Sequence, residues 1–184
     1  MLIKSLVRRL RKFATDTRGS VSVEFILVMP FLFWAFMAIY VYFDGYRQSS
    51  VNLKAAYTIG DLISRETDTI SADYIDSMES LFKTLTRATS AVSLRITVIR
   101  WDDDDDSYYV DWSANRGYSS QLTDGDMEAM EAKLPVMPDN ERVILIETSN
   151  TFVPLFNVGM DNIELENFVF TRPRFVDQVS YWDS

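Results

Sequence analysis

FILVMPFLFWAFMAIYVYF, residues 25–43, is a run of nineteen residues without a charge. As an α-helix it spans roughly 28 Å, close to the ~30 Å hydrocarbon core of a bilayer. A helix packed into a soluble core needs one apolar face, whereas this run is apolar on every face. A secretory signal has a shorter apolar region with a small-residue cleavage site behind it. Here the run is followed by Asp44-Gly45-Tyr46-Arg47. The expectation is one membrane-spanning helix that begins near Val21 and ends near Phe43. Tyr40, Tyr42 and Tyr46 would form the aromatic belt at its distal end.

Charge gives the helix a direction. Residues 1–18 hold Lys4, Arg8, Arg9, Arg11, Lys12 and Arg18 against Asp16, a net +5, so the remaining 166 residues carry −14 within a total of −9. A basic head before an apolar run keeps the head cytoplasmic and sends the acidic body across. An acidic body also argues against nucleic acid as a partner, which requires a basic footprint.

The chain has no cysteine and no histidine. Disulfides, thiolate metal sites and cysteine nucleophiles are excluded, as are the commonest general base and the commonest zinc ligand. No cofactor is expected, and the chain is not expected to be an enzyme. Carboxylates such as Asp124, Asp126 and Glu128 remain as candidates for acid–base chemistry. They sit in a Gly-containing loop with no recognisable motif.

Two residues do not suit an inert anchor. Glu24 stands one residue before the uncharged run, and a carboxylate inside hydrocarbon costs roughly 2.5–3.5 kcal/mol, less near the interface. Pro30 leaves the carbonyl of Ile26 without its helical partner. One reading places Glu24 among the headgroups and treats Pro30 as a tolerated kink. The other is that both serve assembly between helices.

The stretch RGSVSVEFILVMPFLF resembles the N-terminus of type IV pilin-like proteins, specifically the TadE/TadF-type minor pilins (pseudopilins) of the tight-adherence (Tad, or Flp) pilus. The resemblance is strongest over residues 18–65 and includes AAYTIGDLISRET at 55–67. Gly19 closes a basic leader, four residues follow, then Glu24-Phe25, then an apolar helix with its early proline at Pro30. The resemblance implies that a prepilin peptidase cuts after Gly19, making Ser20 the new N-terminus and Glu24 the fifth residue. Glycine at the cut leaves the backbone open to a protease. It further implies assembly with other minor pilins, the major Flp pilin and the Tad platform in the bacterial inner membrane. Glu24 could then pair with the free amine of a neighbouring Ser20, since an unpaired buried charge is heavily penalised. The alternative is an uncleaved single-pass adaptor of the same secretion machinery.

The remainder reads as a globular α+β domain. The division is a basic leader over residues 1–19, a transmembrane helix and its extension over 20–65, and a periplasmic domain over 66–184. Leu53, Ala56, Tyr57, Gly60 and Ile63 recur at helical spacing, so the stem is expected to continue to about Arg65, roughly 70 Å in all, with Gly45 and Gly60 as points where it could break. Ser71 caps a second, amphipathic helix with Tyr74, Met78, Leu81, Phe82 and Leu85 on one side. Leu94–Val98 and Tyr108–Trp112 alternate as a hairpin. A short helix is expected from Asp126 to Lys133. RVILIE, residues 142–147, reads as a central strand whose line runs towards Val153, and Ile163–Thr171 as a fourth strand. A long helix with an antiparallel sheet of about four strands also suits the pilin-like family. The hairpin loop holds five aspartates, of which Asp102, Asp104 and Asp106 are candidates for Ca²⁺. A solvated turn is the competing reading.

Overall fold

The computed structural model describes residues 20–182. The basic leader, residues 1–19, lies outside the described residues. A single helix, α1 (Ser20–Ser64), runs unbroken for 45 residues. It passes through Pro30, Gly45 and Gly60, so neither glycine breaks it. At 1.5 Å per residue its length is about 68 Å.

The two halves of α1 have different surroundings. Residues 21–36 are exposed on every side. From Val41 a buried stripe forms through Asn52, Ala55, Ala56, Ile59 and Ile63, at the three-and-four spacing of one helical face. Leu53 and Tyr57, expected on this face, are instead 42% and 57% exposed. Several faces of this segment carry apolar residues, and the one that meets the sheet is buried. The glycines serve that contact. A Cβ on Gly60 would lie 2.8 Å from Ile146 Cδ1, and one on Gly45 would lie 3.3 Å from the Phe152 ring.

A two-residue strand, β1 (Ile70–Ser71), leads into α2 (Ala72–Thr86). The Ser71 hydroxyl accepts from the Tyr74 amide at 3.3 Å, which caps α2 as expected. Arg87 closes the helix in the left-handed region at φ 50. Its buried residues are Ile75, Met78, Phe82 and Thr86. Tyr74 and Leu81 pack at the edge of this core, while Leu85 is exposed and Ile75 takes the central place. The buried face is thus rotated slightly from the expected one, because α2 must touch both α1 and the sheet.

The sheet holds β2 (Val92–Asp102), β3 (Ser107–Arg116), β4 (Arg142–Phe152) and β5 (Ile163–Thr171), in the order β3-β2-β4-β5 with every pairing antiparallel. β4 lies between β2 and β5, as the apolar run RVILIE required. Its residues alternate between two cores. Ile144 and Ile146 face α1 and α2, whereas Val143 and Leu145 pack with Ile99, Leu122, Met127 and Met137 on the other face. A strand covered on both sides loses the polar alternation of a half-exposed one.

Between β3 and β4, α3 (Asp124–Met130) tightens into a 3₁₀ turn, Glu131–Lys133, so the expected helix starts two residues earlier and ends differently wound. Near the C-terminus β6 (Tyr181–Trp182) pairs in parallel with β1, a contact the sequence did not announce. Three hydrogen bonds fasten α1 to the domain: Asn52 Nδ2 to Asn150 Oδ1 (2.7 Å), Gln48 Nε2 to the Thr86 carbonyl (2.8 Å), and the Arg174 amide to the Ser64 carbonyl (2.8 Å).

Candidate functional site

Gly19 of the expected cleavage site lies outside the described residues. Ser20 opens α1, and Glu24, Phe25 and Pro30 occupy the turns that follow, the last three all exposed. Among the described residues this is the one helix long and apolar enough to cross a membrane.

The helix sends these side chains in different directions. Phe25 and Pro30 line an open cleft of about 730 Å³, shared with Met29, Phe33, Phe156 and Val158. Glu24 is nine residues from Phe33, and at about 100° per residue the two point to opposite sides. Among the described residues the Glu24 carboxylate has no hydrogen-bond or ion-pair partner. Chemically it is an open acceptor at the apolar end of a long rod, on the side turned away from the cleft. A cationic group on a neighbouring helix would satisfy it.

The aspartate loop is committed internally. Asp102 accepts from Arg100 Nη1 (2.9 Å) and from the Asp104 amide (3.2 Å). The Arg100 guanidinium holds the Asp102 carboxyl below the usual carboxylate range, with the Asp104 amide acting in the same direction. Asp103 accepts from Trp101 Nε1 (2.8 Å), Asp105 from the Tyr109 hydroxyl (2.7 Å), and Asp106 takes a left-handed turn conformation at φ 50. Among the described residues no three acidic side chains are grouped to hold a metal ion. The geometry therefore gives no support to Asp102, Asp104 and Asp106 as a Ca²⁺ site. Five consecutive carboxylates spread around a turn, and those of Asp102, Asp103 and Asp105 each find their own donor within the hairpin.

Two of the carboxylates considered for acid–base chemistry are similarly engaged. Asp124 Oδ1 accepts from the Val110 amide at 2.6 Å, and Asp126 Oδ2 accepts from the Thr123 amide and hydroxyl, both at 2.8 Å. These bonds tie α3 to the sheet and start its first turn. Asp126 is held below the ordinary carboxylate range, chiefly by the Thr123 amide.

Sequence reasoning missed the loop after β4. Phe156 reaches back to α1 and meets Tyr40 edge-on at 6.1 Å between ring centres. The available signal was the uncharged stretch of thirteen residues, 148–160, lying between Glu147 and Asp161.

No protein-family profile matches the chain, and neither a curated protein nor a solved structure matches it. The pilin resemblance accordingly stands on the residues of the N-terminal motif.

Proposed function

We propose that this chain is a minor pilin, or pseudopilin, of the Tad/Flp pilus. It enters the inner membrane with its N-terminus cytoplasmic and its C-terminal domain periplasmic. A prepilin peptidase removes the leader after Gly19, and the mature chain takes part in pilus assembly or its priming. No catalysis is assigned to it.

The observation that carries this reading is the coincidence of motif and helix. Glu24, Phe25 and Pro30 stand at the head of a 45-residue helix whose first half is bare and whose second half lies on a four-stranded antiparallel sheet, and Gly19 directly precedes that helix in sequence. A helix built this way offers an unpartnered apolar surface to other helices while its far end carries a folded domain. Glu24 supplies register. After cleavage, the new amine of Ser20 in one subunit can meet the carboxylate of Glu24 in another, and any other alignment leaves charge unpaired in an apolar setting.

Mass spectrometry of the chain extracted from membranes tests the central step. The expected N-terminus is Ser20. An intact Met1 in the assembled complex rules out processing and leaves the uncleaved adaptor as the better reading.

A further inference from the structure

The loop from Val153 to Met160 lies beside the uncharged part of α1 rather than beyond it. Phe156 meets Tyr40 edge-on, and Phe156 and Val158 share a cleft with Met37, Phe33 and Met29. Met37 and Ala38 are half-buried and Val41 is fully buried, so the domain covers one face of the last seven residues of the uncharged run, while Ile39, Tyr42 and Phe43 stay exposed on the others. That is about 10 Å of helix. The part of the run that is clear on every face, 25–36, is twelve residues long. It measures about 18 Å, well short of the ~30 Å hydrocarbon core. Adding residues 21–24 brings Glu24 into the span.

The loop is built to tolerate the same surroundings. Residues 148–160 contain no charge. Along the loop, Pro154, Phe156 and Val158 turn towards the protein, while Val153 and Leu155 point outwards at 57% and 70% exposure. Two large aliphatic side chains facing away from the core, at the level of a transmembrane helix, match an apolar solvent better than water.

We infer that the loop Val153–Met160 is a second membrane contact, seated in the interfacial zone of the distal leaflet, with phospholipid acyl chains around Val153 and Leu155 and in the cleft against α1. The inference rests on the reading of α1 as a membrane span and not on the pilin assignment. Irregular backbone cannot lie exposed at the bilayer centre, where its polar groups would have no partner, so the loop stays near the glycerol level. Together with α1 it gives the domain two points of attachment, and this fixes the rotation of the sheet about the helix axis.

The chain has no native cysteine, so single-cysteine variants can carry an environment-sensitive fluorophore. Full-length protein would be labelled at Leu155→Cys, at Phe36→Cys on α1, and at Asp104→Cys on the hairpin tip, then placed in phosphatidylcholine vesicles with and without nitroxide-bearing acyl chains. The expected result is loss of emission to lipid nitroxide at positions 36 and 155, with position 104 quenched only by aqueous iodide. If position 36 is quenched by lipid but position 155 by iodide, the loop is in water and the inference falls while the span stands. If position 155 is shielded from both quenchers, protein covers the loop and the inference falls again. If position 36 is not quenched by lipid, the span itself is wrong, and the loop contact goes with it.

Discussion

Replacing Gly60 by alanine sets two opposed effects against each other at one atom. The helix gains about 1 kcal/mol, because alanine loses less backbone entropy than glycine on entering a helix. The new Cβ, however, would lie 2.8 Å from Ile146 Cδ1 and 3.5 Å from Thr171 Cγ2. Carbon atoms pack best at about 3.5–4.0 Å, so the first contact is too short by most of an ångström. Ile146 cannot swing away freely. It is 0% exposed, on an interior strand, with Ile59 and Ile63 in the same core. Forcing a carbon into a filled core costs about 1–3 kcal/mol. The net expectation is a loss of about 1 kcal/mol, read from denaturant unfolding of the detergent-solubilised chain by tryptophan fluorescence. Ile146→Val sharpens the test by deleting the atom in conflict. Alone it should lose about 0.5–1.5 kcal/mol. In the Gly60→Ala background that loss should largely vanish, a coupling of about 1 kcal/mol. Gly45→Ala serves as the control, since its Cβ meets only a ring edge at 3.3 Å and should keep most of the helical gain. If Gly60→Ala is stabilised as much as Gly45→Ala, and Ile146→Val costs the same in both backgrounds, the close approach of helix and sheet is refuted.

Other outcomes follow from the same structure. Glu147→Ala leaves Arg95 without its two bonds of 2.6 and 2.8 Å at a site only 14% exposed, and should lose about 2 kcal/mol, less than the 3–5 of a fully buried pair. Asp44→Ala, which breaks a 3.6 Å pair on the helix surface, should change stability by under about 0.5 kcal/mol in the same unfolding assay. The depressed Asp126 pKa makes its contribution complete above the unfolded value of about 3.9 and lost as pH falls through the lower folded value. Melting curves over the acid range should therefore fall less steeply for Asp126→Asn than for the native chain. Glu24→Ala should leave the sheet domain as stable as before, since Glu24 has no partner among the described residues, yet abolish co-purification with the partners of the proposed pilus assembly. Unchanged assembly would remove Glu24 from the proposed role. Calcium at about 1 mM should not move the melting temperature, and a rise would restore the aspartate loop as a site.

Much of the architecture was legible because it depends on local chemistry. A nineteen-residue uncharged run specifies a helix that water does not favour, whatever lies elsewhere in the chain. Ser71 caps α2 with its own hydroxyl, and the alternation at Leu94, Ile96 and Val98 places one strand face in a core. The motif around Glu24 and Pro30 is likewise a property of sequence spacing. Where the reading slipped, several faces could have been buried. Leu53 and Tyr57 are as apolar as Ala55 and Ile59, and nothing in their spacing says which pair meets the sheet. Leu85 and Ile75 exchanged places on α2 for the same reason.

Gly45 and Gly60 mark the division. In the sequence a glycine inside a helix signals weakness, because backbone entropy is the only term visible there. In the fold each marks a place where a strand side chain approaches the helix, a fact that depends on Phe152 and Ile146 arriving from about a hundred residues away. The same holds for Phe156, whose contact with Tyr40 joins the ends of two distant segments. The sequence by itself determined that a long apolar helix leads into an α+β domain, because solvent preference and short-range caps act through neighbours. Only the tertiary structure decided which face of that helix is covered, and how far along the apolar run the domain reaches, because those depend on side chains brought together by chain closure.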